Sequence, residues 1–218
     1  MTSRIGKDKR IKILNLYAGI GGNVHLLDRS RFEVTSVEYD NEIAETYKIL
    51  NPSDRMIITD AKEYLLEHYR EYDIIWASPP CQSHSWMRLA NRSKDGFKAV
   101  YPDMALYEII LFLEKYCYDK KWVVENVNGW TNDFFNIKYF EYGRHRYWTN
   151  AEFVITPMEK HTQYRDNREK LRKYLGFPAL ILYDDSECYE VPYELQWLRN
   201  CVHPVEGFQI FRVDHAGV

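Results

Sequence analysis

Apolar residues in the first two-thirds of the chain fall into short β-rich runs separated by amphipathic stretches of helical period. Residues 11–17 form one such run. It ends in Ala18-Gly19-Ile20-Gly21-Gly22 and predicts a strand, a glycine turn and then a short helix. Residues 33–38 alternate through Val34, Thr35 and Val37 as a second strand, and 41–50 read as a helix stopped by Asn51-Pro52. A third strand is expected at 56–59, then a helix at 61–70 with Tyr64, Leu65 and Tyr69 on one face. A fourth strand at 73–77 breaks at Pro79-Pro80, 102–118 is the longest helix candidate, opened by Pro102, and 122–127 is a fifth strand.

Strands alternating with crossover helices imply an α/β fold, a doubly wound and mostly parallel sheet. Ligands of such sheets lie outside the carboxyl ends of the strands. The unusual residues of this sequence fall at those ends: Gly19, Gly21 and Gly22, then Glu38, Asp60, Cys81 and Glu125, one group per strand. Beyond Asn150 the pattern weakens. Helices are expected at 168–175, ending at Gly176-Phe177-Pro178, and at 193–199, within a small irregular C-terminal cap.

The chain has 218 residues, 45% hydrophobic and 28% charged, which is a globular balance. Aromatics at 16% suffice for a dense core and for stacking surfaces. No apolar run reaches the roughly 18–20 residues that span a bilayer, and residues 1–12 lack a signal-peptide core, so no membrane partner is expected. Four cysteines at separations of 36, 71 and 13 give no zinc spacing, so no metal is expected and a reducing cytoplasm is the expected location. The net charge of −3 is unevenly spread. Residues 33–73 hold 11 acids and 4 bases, whereas 86–98 hold Arg88, Arg92, Lys94 and Lys98 against Asp95 alone. Residues 159–174, with Arg165 and Arg168, hold six bases against three acids. Such blocks allow a basic cleft on an acidic protein, or ordinary solvated faces.

A glycine turn between strand and helix lets a ligand approach the backbone closely, although the same turn also serves without one. Glu38 can accept both ribose hydroxyls, Asp60 can accept the exocyclic amine of an adenine, and Tyr39 can stack on the ring. Together they indicate an adenosine-containing cofactor, either a dinucleotide or S-adenosylmethionine. In Ser78-Pro79-Pro80-Cys81-Gln82 the prolines hold a cysteine in a stiff, exposed turn that suits a nucleophile; the alternative is a buried small hydrophobe. Glu125 interrupts the apolar run begun by Trp122-Val123-Val124. Burial there favours the uncharged form that donates a proton, and the alternative is a strand-end carboxylate in a salt bridge.

In these motifs the chain resembles the DNA cytosine-5 methyltransferase family. Leu16-Tyr17-Ala18-Gly19-Ile20-Gly21-Gly22, with Tyr17 where Phe is common, is similar to its cofactor loop. Pro80-Cys81-Gln82 matches its Pro-Cys-Gln motif and Glu125-Asn126-Val127 its Glu-Asn-Val motif. Gly143-Arg144-His145-Arg146 is similar to its Arg-x-Arg motif, with Tyr142 in place of the usual Gln. Leu198-Arg199-Asn200-Cys201-Val202 is similar to its last motif, with Arg199 in place of Gly, and 168–178 to the one before it. The order is the family's own, and the resemblance spans 13–211.

The resemblance implies a Rossmann-like methyltransferase that binds S-adenosylmethionine through Tyr17, Ala18, Gly19, Gly21, Gly22, Glu38, Tyr39, Asp60, Pro79, Asn200 and Val202. It implies methylation of cytosine C5 in double-stranded DNA, with attack of Cys81 on C6 and Glu125 on N3. Arg146 would bind the O2 edge, and Arg144 the catalytic loop or a phosphate. The target base must be flipped out. Ser83, His84, Trp86, Arg88, Arg92, Lys94, Arg165 and Arg168 are then candidate nucleic-acid contacts, with 83–98 as a lid. Only 16 residues, 151–166, stand where family members carry a target-recognition region. A compact phage or bacterial member with a short site is therefore expected. Its parts would be a catalytic domain over 1–150, a minimal recognition segment over 151–197 and a returning segment over 198–218. A monomer is expected, with a separate recognition subunit as the alternative. A tRNA-directed enzyme and a catalytically silent DNA-binding subunit of a modification system are the rival readings. An NAD-linked oxidoreductase has no evident use for the Pro-Pro-Cys-Gln turn.

Overall fold

The computed structural model describes residues 9–130, 137–152, 167–178, 181–184, 187–190 and 194–212. Parallel strands form at the five apolar runs: β1 (Ile11–Leu16), β2 (Phe32–Glu38), β3 (Arg55–Ile58), β4 (Ile74–Ala77) and β5 (Lys121–Val127). Helices α1 (Asn41–Leu50) and α2 (Ala61–His68) are each opened by an aspartate, Asp40 or Asp60, whose side chain accepts two N–H groups of the first turn. A short α3 (Trp86–Ala90) precedes α4 (Ala105–Tyr116). Pro102 does not open α4: the Asp103 carboxylate accepts the Ala105 N–H at 2.9 Å and sets a later start.

A hairpin that the sequence pattern did not reveal follows, β6 (Tyr139–Tyr142) and β7 (His145–Thr149). Then come α5 (Arg168–Leu175), the separate two-stranded hairpin of β8 (Ile181–Asp184) and β9 (Glu187–Glu190), α6 (Glu194–Asn200) and α7 (Pro204–Arg212). The main sheet has the order β3-β2-β1-β4-β5-β7-β6, with β7 antiparallel to β5. Strand order reverses between β1 and β4, which leaves a crevice at their carboxyl ends.

Both faces of this sheet are covered, so its central strands are mostly apolar. Leu14, Leu16, Ile75, Val124 and Trp148 pack with α2 and α4, whereas Ile13, Val34, Trp76, Val123 and Tyr147 pack with Tyr47 of α1 and Phe211 of α7. The Trp76 and Phe211 rings stack at 5.3 Å. Burying each such side chain contributes on the order of 2–3 kcal/mol. Inside α7, Gly207 lowers helix propensity but is required by packing, since a Cβ there would lie 2.1 Å from the Asn23 carbonyl oxygen. A third cluster joins Ile20 and Leu50 to Leu171, Leu175, Phe177 and Leu198, which seats α5 and α6 over the glycine turn. Among the described residues no helix is long and apolar enough to cross a membrane.

Candidate active site

The chain leaves β1 through Tyr17 and Gly19, both with left-handed φ of +54° and +53°. This folds the loop back, so that the Ala18 N–H donates to the Val37 carbonyl at 3.0 Å and the Gly19 N–H to Glu38 Oε2 at 2.9 Å. A single 3-10 turn, Gly22–Val24, takes the place of the expected helix. Packing beneath the loop is the reason for two of its glycines. A Cβ on Gly21 would lie 2.3 Å from the Tyr47 ring, and one on Gly22 would lie 2.2 Å from Cys201 Sγ and 2.3 Å from the Val202 carbonyl oxygen. Gly22→Ala should therefore lower unfolding free energy by roughly 1–3 kcal/mol, because backbone cannot step aside as a side chain can. An unchanged urea midpoint would show that the C-terminal segment is not seated on Gly22.

The second wall comes from the turn after β4. Asn126 Nδ2 donates to the Pro79 carbonyl at 2.9 Å, and Trp76 Nε1 donates to Ser78 Oγ at 2.8 Å. These bonds tie the Pro-Pro turn to β5 and to β4 and hold Cys81, partly exposed, at the crevice. Burial pushes the Cys81 thiol up, the Glu125 carboxylate adds to this, and the Arg144 guanidinium opposes both. The resting group is thus a thiol. Arg144 stands in the turn between β6 and β7 and donates to the Arg199 carbonyl, which joins this turn to α6.

A cavity of about 670 Å³ opens between these walls. Of the candidate residues it gathers Tyr17, Ala18, Gly19, Gly21, Gly22, Glu38, Pro79, Cys81, Arg88, Glu125, Arg144, Asn200 and Val202. Glu38 Oε1 accepts the Tyr39 and Asp40 N–H groups while Oε2 accepts that of Gly19, which leaves one of about four acceptor positions. It can receive one ribose hydroxyl here, not two. Tyr39 is 80% exposed and lies outside the lining. Asp60 is also outside it, with Oδ1 engaged by the Lys62 and Glu63 N–H groups as the cap of α2.

Arg146 does not take the expected place. In the β5–β7 register Glu125 lies opposite Tyr147 and Asn126 opposite Arg146, so Arg146 projects from the other face of the sheet. There it donates to Glu141 Oε1 at 2.6 Å and covers the Tyr139 ring. The side chain on the Glu125 face is His145, which the sequence reading passed over. Alternation along a strand was the signal, but it needed the register to be useful.

Of the proposed nucleic-acid contacts, His84 is fully buried, edge-on to the Tyr107 ring, and burial holds its imidazole below the usual range. Ser83 Oγ accepts the Asp103 N–H at 2.8 Å. Both fasten the base of the loop, and His84, being buried, does not face outward to a polymer, whereas Ser83 is half-buried. Trp86, Arg92 and Lys94 are exposed, while Arg88 reaches over Phe97 and donates to the Lys98 carbonyl at 2.8 Å. Arg168 opens α5, and Arg165 lies outside the described residues. No group of acids, histidines and cysteines suited to a metal ion occurs among the described residues.

The donor set suits S-adenosylmethionine. A fixed carboxylate stands at the end of β2, bare loop backbone lies beside it, and the cavity is continuous from there to Cys81. Residues 11–140 match the profile of the C-5 cytosine-specific DNA methylase family. No curated protein matches the chain. Among solved structures it is similar to a Spodoptera frugiperda DNMT2 mutant, at 20% identity over 68% of this chain and 53% of that one, TM-score 0.44. It is also similar to a putative DNA modification methyltransferase of an Escherichia coli prophage, at 18% identity over 69% and 52%, TM-score 0.42. A third is a SAM-dependent methyltransferase from Agrobacterium tumefaciens, at 20% identity over 55% and 39%, TM-score 0.38. The chain spans about half the length of the first two. The family match covers more than half of the sequence, and it falls on the strands that build the cavity: this chain belongs to the C-5 cytosine-specific DNA methylase family, whose methyl donor is S-adenosylmethionine.

Proposed function

We propose that the chain methylates C5 of cytosine in double-stranded DNA through a covalent Cys81 adduct. The observation that carries this reading is a single cavity in which Cys81 and Glu125 stand opposite Glu38 and the glycine loop. C5 of cytosine is too weak a nucleophile to attack a sulfonium methyl group unaided. Once the Cys81 thiol has lost its proton to water, a bond from the sulfur to C6 breaks the C5–C6 double bond and moves its electron pair to C5. Glu125 donates to N3 and stabilises the charge that develops on the ring. Glu38 and the glycine loop would hold S-adenosylmethionine, which would supply an electrophilic methyl group to C5 as its sulfur–methyl bond breaks. A base or water then takes the C5 proton, and elimination breaks the C6–S bond to free Cys81.

The electrostatics of Cys81 give Glu125 a second task. As a carboxylate it opposes the thiolate, and Arg144 favours it. Protonated Glu125 would both donate to N3 and cease to oppose ionisation of the nucleophile. A paired base cannot reach Cys81, so the target flips out of the duplex. The loop of 83–98 and the segment 151–197 take the recognition role in this reading, with few side chains to read base edges and a short target as the result.

Lys94→Ala should weaken binding to all duplex sequences alike and reduce the slope of log K against log[salt] by about 1. A changed sequence preference in a binding titration would instead place Lys94 at a base edge. Bisulfite sequencing of plasmid DNA from cells expressing the chain tests the function directly. Parallel assays of the purified chain on duplex DNA and on tRNA decide the polymer. Methylation of tRNA alone would move the substrate to RNA, and failure to bind S-adenosylmethionine in calorimetry would favour a silent subunit.

A further inference from the structure

Behind Glu125 lies a buried cluster that the proposed chemistry does not use. His145 Nε2 stands 3.6 Å from Glu125 Oε1, and His145 Nδ1 stands 3.5 Å from Glu206 Oε1 on α7. The Tyr147 hydroxyl donates to the same Glu206 oxygen. None of the four residues is more than 7% exposed: Glu125 7%, His145 6%, Glu206 6% and Tyr147 0%. Two carboxylates and one imidazole, largely screened from water although Glu125 and His145 line the cavity, are placed to share protons among themselves.

We propose that His145 is a positioning residue for Glu125, its imidazole clamped between Glu125 and Glu206 so that it holds the proton Glu125 needs. The inference rests on the reading of Glu125 as the donor to N3. Two arrangements of the cluster carry the same net charge. In one, both ring nitrogens are protonated and both carboxylates are ionised. In the other, the Nε2 proton has moved to Glu125 Oε1, the ring is neutral, and Nδ1–H still faces Glu206. Only the second arrangement can donate into the cavity. Passage between them breaks one N–H bond and forms one O–H bond, with no charge created in the interior.

Glu206 makes the device two-sided. Glu206 Oε1 and the Tyr147 hydroxyl oxygen both stand 3.5 Å from Nδ1, and with the hydroxyl proton given to Glu206 both offer it acceptors, which keeps Nδ1 as the protonated nitrogen and leaves Nε2 as the one that exchanges with Glu125. Among the described residues, the other titratable or charged groups that act electrostatically on members of the cluster are Arg144, Cys81, Cys201 and Tyr174. Of these only Arg144 is cationic.

The test measures single-turnover methyl transfer to duplex DNA against pH for the wild-type chain, His145→Asn, Glu206→Gln and the double variant. Without the imidazole, Glu125 must draw its proton from solvent, which supplies fewer the higher the pH. The rate should fall about 10–100-fold near pH 8 and recover toward the wild-type rate as pH falls. Glu206→Gln keeps an oxygen acceptor for Tyr147 and should shift the profile the same way by less. The double variant should lose no more than His145→Asn alone. An equal loss at every pH, an unaltered profile or additive losses would overturn the proposal. Imidazole 15N spectra supply a readout free of activity, with His145 assigned by its absence in His145→Asn. Glu125→Gln should move the Nε2 signal and Glu206→Gln the Nδ1 signal, and failure of either to move would also overturn it. A wild-type chain inactive on DNA would refute the proposed function, while the spectra would still decide whether the clamp exists.

Discussion

Cys81→Ser should abolish methyl transfer, with a loss on the order of 10⁴-fold or more, while S-adenosylmethionine binding is essentially unchanged. The separation follows from the two walls of the cavity. Cys81 hangs from the turn after β4, whereas Glu38 and the glycine loop are fixed to each other across β1 and β2. Serine preserves the volume of the side chain, so little else should move. A duplex with fluorine at C5 of the target cytosine should trap the wild-type chain as a covalent complex, because the blocked proton cannot leave. Denaturing gels and calorimetry read the two halves of the result. A stable adduct with Cys81→Ser would show that the nucleophile is elsewhere.

Glu125→Gln should change two rates in opposite directions. Methyl transfer should slow by about 10²–10⁴-fold, since an amide can hydrogen-bond to N3 but cannot supply its proton. Alkylation of Cys81 by iodoacetamide should become faster at a fixed pH of 7–8. The sign follows from the thiol: burial and the Glu125 carboxylate both push it up, so it is largely protonated there, and loss of the carboxylate brings it down. Arg144→Ala should slow alkylation for the converse reason. Mass spectrometry of the labelled peptide measures both. Slower alkylation in Glu125→Gln would mean that Glu125 supports Cys81 by contact and does not oppose it by charge.

Five strands and the crevice were legible in the sequence because β1 to β5 carry short apolar or β-branched runs that are closed or followed by glycine, proline or an acid. Such runs declare themselves without knowledge of their neighbours. The β6–β7 hairpin did not, since Glu141, His145 and Arg146 look like surface residues until Glu141 is set beside Arg146 and Glu125 beside His145. Asp60 was legible as an acid at a strand end but not as a helix cap, since both uses ask for the same residue in the same place. α7 was hidden by Gly207, whose reason lies 184 residues back at Asn23. Cys81 and Glu125 were readable from sequence as candidates; that Arg146 and His145 face opposite ways depends on register, which a sequence does not print.

The seating of α7 carries a consequence for the order of events on the ribosome. Phe211 covers Trp76 and Glu206 meets His145, so the face of the sheet that begins with β1 is completed from the far end of the chain. A nascent chain made only as far as α6 would have all five parallel strands in hand and one of their faces still wet. Contacts so distant in sequence form late and slowly. The pocket thus stays unassembled until α7 has been made, and its β1 face closes in one docking step rather than by degrees.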